Sequence, residues 1–202
     1  MARPTRRSGN LPAEATSFIG RRRELAEVRN KLTEARLVSL VGPGWVGKTR
    51  LAIRIATDLC RGFRGGGWLV ELAEVLDPAL VNNAVMAALD LRDQAASAPT
   101  AILLGYLRDK ELLLVVDNCE HLIEACAQLA QRLLQTCPTL RILATSREAL
   151  NLTGEMTLRV PSLPLPPRCI PCSDRSGRRA PWQRHSAPGR PGRCARTWCR
   201  PP

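Results

Sequence analysis

Hydrophobic residues occur in short runs and in spaced patterns over the first 160 residues of the chain. The runs predict strands at 37–41, 68–72, 112–116 and 140–145. Apolar residues at helical spacing predict helices at 21–35, 49–60, 78–89, 100–108 and 121–135. The run at 112–116 has no polar alternation, which is typical of a parallel strand covered by helices on both faces. Because strands alternate with helices, we predict a three-layer α/β fold around a parallel sheet.

A glycine-rich loop directly follows the first predicted strand. Residues 42–49 read G-P-G-W-V-G-K-T and fit the pattern G-x-x-x-x-G-K-[ST]. Glycines let backbone N–H groups turn toward phosphate oxygens, and the next helix presents its positive N-terminus to the same oxygens. Lys48 supplies a charge for the β- and γ-phosphates, and the Thr49 hydroxyl suits a magnesium ion. The predicted nucleotide contacts are Gly42, Gly44, Val46, Gly47, Lys48, Thr49 and Arg50.

An aspartate, Asp117, ends the third predicted strand. The carboxyl ends of parallel strands form the sheet edge where ligands bind in such folds, so we predict that Asp117 holds Mg²⁺ together with Thr49. The alternative is that Asp117 caps the helix that begins near Glu120. A polar cluster at 144–147 closes the fourth strand, where Arg147 is suited to pair with a γ-phosphate. The alternative for Arg147 is a solvated loop arginine.

Four segments together resemble one family of ATPases. They are T-S-F-I-G-R at 16–21, the phosphate loop, L-V-V-D-N-C-E-H at 114–121 and L-A-T-S-R-E at 143–148. The chain resembles the signal-transduction ATPases with numerous domains (STAND), of the apoptotic-ATPase or NB-ARC type, as in actinobacterial LuxR-type and AfsR-like transcription regulators. The resemblance covers about residues 11–167. It implies a P-loop NTPase fold and a switch that ADP closes, ATP opens and slow hydrolysis resets.

The resemblance also implies roles for further residues. Ile19, Gly20 and Arg21 are expected to contact the adenine base, although a basic first helical turn capped by Ser17 is the alternative. Asp117, Glu120 and Arg147 are the candidates for the ATPase reaction, with Glu120 nearest to polarise water. The family usually has an acid where this chain has Arg22.

Trp45 is the first marked departure from the family, which has glycine at this position. The backbone must approach a phosphate closely there, and glycine is the residue that permits this most readily. An indole could obstruct the phosphate or open the loop, or it could point into solvent. We predict reduced nucleotide affinity.

The end of the chain is the second departure. From Arg168 onward there are nine arginines and one acid, Asp174, which gives the tail a charge of +8 out of a total of +12. After Ile170 the tail contains no Leu, Ile, Val, Met or Phe, so it cannot bury enough apolar surface to fold. We predict a flexible leader at 1–16, a nucleotide-binding domain at 17–160 and a disordered tail at 161–202. Our hypothesis is a chain truncated or frameshifted before the winged-helix and DNA-binding parts of the family.

Composition also bounds the location and the partners. The longest aliphatic run is Leu112–Val116, whereas a membrane span needs about 20 apolar residues. No apolar signal segment follows the first arginines, so a cytoplasmic protein is expected. Cys60, Cys119, Cys126 and Cys137 lie in periodic segments and are interpreted as buried apolar residues. The expected partner is an adenine nucleotide. DNA is expected to bind only through regions missing from this chain, and self-association is expected to use the nucleotide-binding domain.

The sequence also leaves three other interpretations. The arginine-rich tail, with Trp182 and Trp198 available for stacking, could bind nucleic acid. Its cysteine pairs, one with C-x₂-C spacing and one looser, could hold zinc. A small-molecule kinase would need a substrate site and a lid, and no residues of the sequence suggest either.

Overall fold

A computed structural model gives the structure of residues 9–13, 20–92 and 98–162. Five helices and five strands follow one another in these ranges. The helices are α1 Arg22–Glu34, α2 Lys48–Leu59, α3 Val81–Ala88, α4 Pro99–Leu107 and α5 Ile123–Thr136. The strands are β1 Leu37–Val41, β2 Gly67–Glu71, β3 Leu113–Asp117, β4 Arg141–Ser146 and β5 Glu155–Arg159. Short 3₁₀ turns at Cys60–Gly62, Pro78–Leu80 and Cys119–His121 connect some of them.

The five strands form one parallel sheet in the order β2-β3-β4-β1-β5. Helices α1 and α2 pack on one face, where the core includes Val38, Val115 and Leu143. Helices α3, α4 and α5 pack on the other face, where the core includes Leu114, Val116 and Ile142. Successive residues of β3 and β4 therefore point into different cores, because side chains alternate along a strand. This confirms the predicted α/β fold with helices on both faces of a parallel sheet.

The fifth strand is absent from the sequence prediction. β5 pairs with β1 along its whole length, from Leu37 opposite Glu155 to Val41 opposite Arg159. It is an edge strand, and only Leu158 within it is fully buried. The strand begins and ends with a charged residue and carries two apolar side chains, so its hydrophobic pattern is weak. Its pairing with β1 brings the chain back beside the phosphate loop.

Residues 9–13, which the sequence analysis assigned to a flexible leader, lie against the sheet. Gly9 forms a parallel bridge with Gly67 of β2. The Asn10 side chain donates to the Leu69 carbonyl oxygen at 2.8 Å and accepts from the Leu69 N–H at 2.6 Å. This amide thus satisfies backbone groups on the open side of an edge strand.

Some sequence predictions fall on residues outside the described ranges. These include the base contact of Ile19, the helix cap of Ser17 and the tail from residue 163 onward. Among the described residues, no helix has both the length and the apolar character needed to cross a membrane.

Candidate nucleotide-binding site

Three strand ends bring the candidate site together. Strand β4 lies between β1 and β3, so its last residues separate the loop that leaves β1 from Asp117 at the end of β3. Because all three strands run in the same direction, their carboxyl ends meet at one edge of the sheet. The loop at 42–47, Asp117 and the polar end of β4 are therefore neighbours, as the sequence predicts.

The phosphate loop joins β1 to α2 through two glycines with special backbone requirements. Gly47 has φ 85° and immediately precedes α2, so it occupies the left-handed region that glycine tolerates best. A Cβ atom on Gly42 would lie 2.8 Å from the Val160 carbonyl oxygen, which is too close for any side chain. The first glycine of the loop is thus required by packing against the segment that follows β5.

Lys48 is folded back into this loop. Its Nζ donates hydrogen bonds of 2.9 Å to the carbonyl oxygens of both Gly42 and Pro43, and the residue is buried. A buried ammonium needs such partners because burial without them is costly. The charge therefore lies within the loop itself, where an anion bound by the loop would meet it.

A hydroxyl–carboxylate network connects α2, β3 and β4. The Thr49 Oγ1 lies 2.8 and 3.0 Å from the two carboxylate oxygens of Asp117 and donates to this group. The Thr145 hydroxyl donates to Asp117 Oδ1 at 2.5 Å and accepts from the Asn118 N–H at 3.1 Å. Both Asp117 and Thr145 are buried, so these bonds fix the orientation of the carboxylate toward Thr49.

A cavity of about 600 Å³ opens beside this network. Its lining includes seven of the predicted site residues: Gly44, Gly47, Lys48, Thr49, Arg50, Glu120 and Arg147. It also includes Pro12 and Ala13, which the sequence analysis did not single out. Their position follows from the docking of residues 9–13, and no local sequence signal indicates it. A cavity of this size lies within the range of ordinary ligand sites.

Glu120 and Arg147 meet on the wall of this cavity. Glu120 Oε1 and Arg147 Nε are 3.3 Å apart, and the arginine side chain is 69% exposed. The other carboxylate oxygen of Glu120, Oε2, is buried and has no hydrogen-bond partner among the described residues. The carboxylate is therefore held through Oε1, and Oε2 is enclosed by the protein.

Gly20 and Arg21 precede α1, and both have positive φ, 85° and 57°. The Arg21 side chain is buried, and its guanidinium bonds the carbonyl oxygens of Val46 and Pro161. Neither residue lines the cavity, and Arg21 contacts the candidate site only through the Val46 carbonyl oxygen of the phosphate loop.

Trp45 lies at the tip of the phosphate loop with its side chain fully in solvent. Its φ of 66° is in the left-handed region, which costs a residue with a side chain about 1–2 kcal/mol. A glycine at this position would meet no such cost. Trp45 is nonetheless one of the residues that line the cavity. The predicted effect on nucleotide affinity remains a prediction.

A second cavity, of about 690 Å³, lies on the other side of Glu120 between α5 and the turn at Pro78–Leu80. His121 lines it, and its Nε2 lies 2.8 Å from the Val75 carbonyl oxygen. A carbonyl only accepts, so Nε2 carries the proton of that bond. His121 thus ties the end of β3 to the segment after β2.

Two buried thiols, those of Cys119 and Cys126, lie close to each other in the core near Asp117. Cys119 and Cys126 are buried in one core, as is Cys137, whereas Cys60 is partly exposed. A hydrogen bond with Cys126 and burial raise the pKa of the Cys119 thiol well above its ordinary value, and the charges of Asp117 and Glu120 raise it further. Cys119 is therefore a neutral thiol at physiological pH.

Sequence comparison relates most of the described chain to mycobacterial proteins, although no family model matches it. An uncharacterized protein of Mycobacterium tuberculosis is 45% identical over 150 residues, which are 74% of this chain and 38% of that protein. Another protein of the same organism, provisionally named an HTH-type transcriptional regulator, is 41% identical over 155 residues, which are 76% of this chain and 17% of that protein. The chain thus spans less than two fifths of the length of either relative.

Structural comparison shows the fold. The chain superposes on Cdc6p from Pyrobaculum aerophilum with a TM-score of 0.51 and 15% identity, over 72% of this chain and 48% of that one. It superposes equally well, with a TM-score of 0.51 and 15% identity, on a chain of the Drosophila ORC bound to AT-rich DNA and Cdc6, over 70% of this chain and 54% of that one. With its parallel sheet, phosphate loop and strand-end aspartate, the protein has the α/β fold of the P-loop ATPases.

Proposed function

We propose that the protein binds ATP and ADP with Mg²⁺ in the cavity beside the phosphate loop and acts as a STAND-type nucleotide switch. The observation that carries this proposal is the contact between the Thr49 hydroxyl and the Asp117 carboxylate, at 2.8 and 3.0 Å. Thr49 belongs to α2 and Asp117 ends β3. Their contact places a hydroxyl and a carboxylate together beside the phosphate loop, where a nucleotide-bound Mg²⁺ needs oxygen ligands.

Magnesium fits the residues present. Thr49 and Asp117 offer a hydroxyl and carboxylate oxygens, the hard oxygen ligands that Mg²⁺ takes in proteins, and the ion keeps several waters in such sites. When bound, the ion neutralises negative charge on the β- and γ-phosphates. Thr145 assists by holding Asp117 from the side of β4.

The phosphate loop supports the same proposal. Lys48 already lies inside the loop, and a phosphate oxygen is a stronger acceptor for an ammonium than the two carbonyls that it now meets. A Cβ on Gly44 or Gly47 would meet no atom within 4 Å, so the space beside these glycines is open for an anion. The N-terminus of α2 adds its partial positive charge.

Glu120 and Arg147 are proposed to serve hydrolysis and its regulation. Glu120 lines the cavity, where its carboxylate is suited to accept a proton or a hydrogen bond from an attacking water. Arg147 is largely exposed and held by one ion pair to Glu120, so it can exchange that partner for a γ-phosphate. Such an exchange would make the site respond to the difference between ATP and ADP. A role in transcription regulation is proposed from the similarity to the HTH-type relative.

Isothermal titration calorimetry with ATP, ADP and GTP, with and without Mg²⁺, tests the proposal. We expect binding of both adenine nucleotides and a marked Mg²⁺ dependence for ATP. Thr49→Val, which removes only the hydroxyl, should abolish most of that Mg²⁺ dependence. Thr157→Val, at an exposed position of β5, is the matched control and should bind like the parent. Absence of nucleotide binding by the folded parent chain contradicts the proposal.

A further inference from the structure

A buried arginine outside the cavity bonds the back of the phosphate loop. The Arg21 side chain is only 5% exposed. Its Nη2 donates to the Val46 carbonyl oxygen at 2.6 Å and to the Pro161 carbonyl oxygen at 2.9 Å, and its Nη1 lies 3.5 Å from Glu24. These bonds join residues 25 and 140 positions away along the chain.

The bond to Val46 has a direct consequence for the next amide. In a trans peptide the carbonyl oxygen of one residue and the N–H of the next lie in one plane and point in opposite directions. All described peptide bonds are trans. Because Arg21 holds the Val46 oxygen on its own side, the Gly47 N–H points away from the arginine. Gly47 lines the cavity, whereas Arg21 does not.

The bond to Pro161 extends this support to another segment. Val160 donates its N–H to the Val41 carbonyl oxygen, and its own oxygen packs on Gly42 so closely that no side chain fits there. The first glycine of the loop thus contacts Val160 directly, and the far side of the loop reaches Pro161 through Arg21. Both ends of the loop are anchored to the two residues after β5.

We propose that Arg21 is a positioning residue for the phosphate loop, which holds the 46–47 peptide so that the Gly47 N–H faces a bound polyphosphate. This inference rests on the proposed nucleotide binding. It replaces the base contact expected from the family resemblance with an action on the phosphates. Arg21 therefore acts on any polyphosphate, whatever base is attached.

Calorimetry with two ligands separates these roles. Magnesium ATP and magnesium tripolyphosphate share the phosphates and differ by the nucleoside. Arg21→Ala should weaken both by the same factor, about tenfold or more, because a bond from a charged donor commonly changes an equilibrium by that much. Arg21→Lys should be intermediate, since one ammonium replaces part of the donor set. Arg22→Ala, at the exposed neighbouring position, is the control and should bind like the parent.

The outcomes are distinct. If Arg21→Ala weakens the binding of magnesium ATP alone, Arg21 acts on the base and not on the phosphates. If the variant binds both ligands like the parent, Arg21 has no role in positioning the loop. Either result overturns the inference. Failure of the parent chain to bind either ligand overturns the proposed function instead. Amide NMR spectra of Arg21→Lys guard against a general loss of structure. Shifts confined to residues 42–49 and 160–162 support positioning, whereas shifts across β3 contradict it.

Discussion

The buried hydroxyl of Thr145 allows a sharp test of the network around Asp117. Thr145→Val replaces the hydroxyl by a methyl group of similar size, so it leaves no cavity. It removes one donor to the carboxylate and leaves the Asn118 N–H without its acceptor. A bond to a charged group contributes about 1.5–3 kcal/mol, and leaving the partly buried Asn118 N–H unpaired costs at most as much as a buried donor, about 1–3 kcal/mol. Because the two terms concern one site and are not additive, we expect the free energy of unfolding to fall by about 2–4 kcal/mol in total.

The same sheet provides a matched control. Ser39 of β1 is as buried as Thr145, yet its hydroxyl has no hydrogen-bond partner among the described residues. Ser39→Ala removes an unpaired polar group, so it should change the free energy of unfolding by no more than about 1 kcal/mol, in either direction. Urea denaturation followed by far-UV circular dichroism measures both variants, and the m-values should match the parent. Equal losses for the two variants would refute the reasoning, because burial alone would then explain both.

Three further predictions concern other parts of the molecule. Trp45→Gly should raise the free energy of unfolding by about 1 kcal/mol, because it removes a left-handed conformation, and should bind magnesium ATP more tightly, because it removes the indole from a residue that lines the cavity; equal dissociation constants in calorimetry would contradict the second expectation. Asn10→Ala should lower the free energy of unfolding by about 1 kcal/mol. It should also speed hydrogen exchange of the Leu69 amide, because that N–H loses its acceptor. An unchanged exchange rate at Leu69 would contradict the docking of residues 9–13 against β2. Because the pKa of Cys119 is raised in the folded state, its contribution to stability is complete below the ordinary thiol pKa and decreases as the pH rises above about 8.5. Cys119→Ala should therefore show a shallower decrease in the free energy of unfolding at alkaline pH. Identical slopes of this free energy against pH in parent and variant would contradict the prediction.

The sequence predicted the parts of the fold that have strong local patterns. Strands β1 to β3 are mostly apolar and β4 has an apolar centre because helices cover both faces of the sheet, so the sequence pattern indicated all four. β5 was not predicted because an edge strand buries little apolar surface and therefore needs few apolar residues. The helix expected at 78–89 is a 3₁₀ turn followed by α3, and the Asp77 side chain caps the turn by accepting from the Ala79 N–H.

The candidate site was predictable where motif and topology coincide. The phosphate loop and Asp117 each follow a strand, and parallel order alone requires that they meet. The bonds of Arg21 were not predictable, because its carbonyl partners carry no side-chain signal and one lies 140 residues away. The same holds for Asn10, which pairs with the backbone of a strand 59 residues later. Every residue offers a backbone carbonyl, so the pattern of side chains does not indicate which carbonyl accepts such a bond.

The most direct test of the proposed nucleotide site is an amide NMR titration of the parent chain with magnesium ATP. We expect large shifts of the backbone amides of residues 44–49, with smaller shifts at Asp117 and Thr145. Shifts centred instead on the second cavity, at His121 and Gln128, or no saturable shifts anywhere, would contradict it.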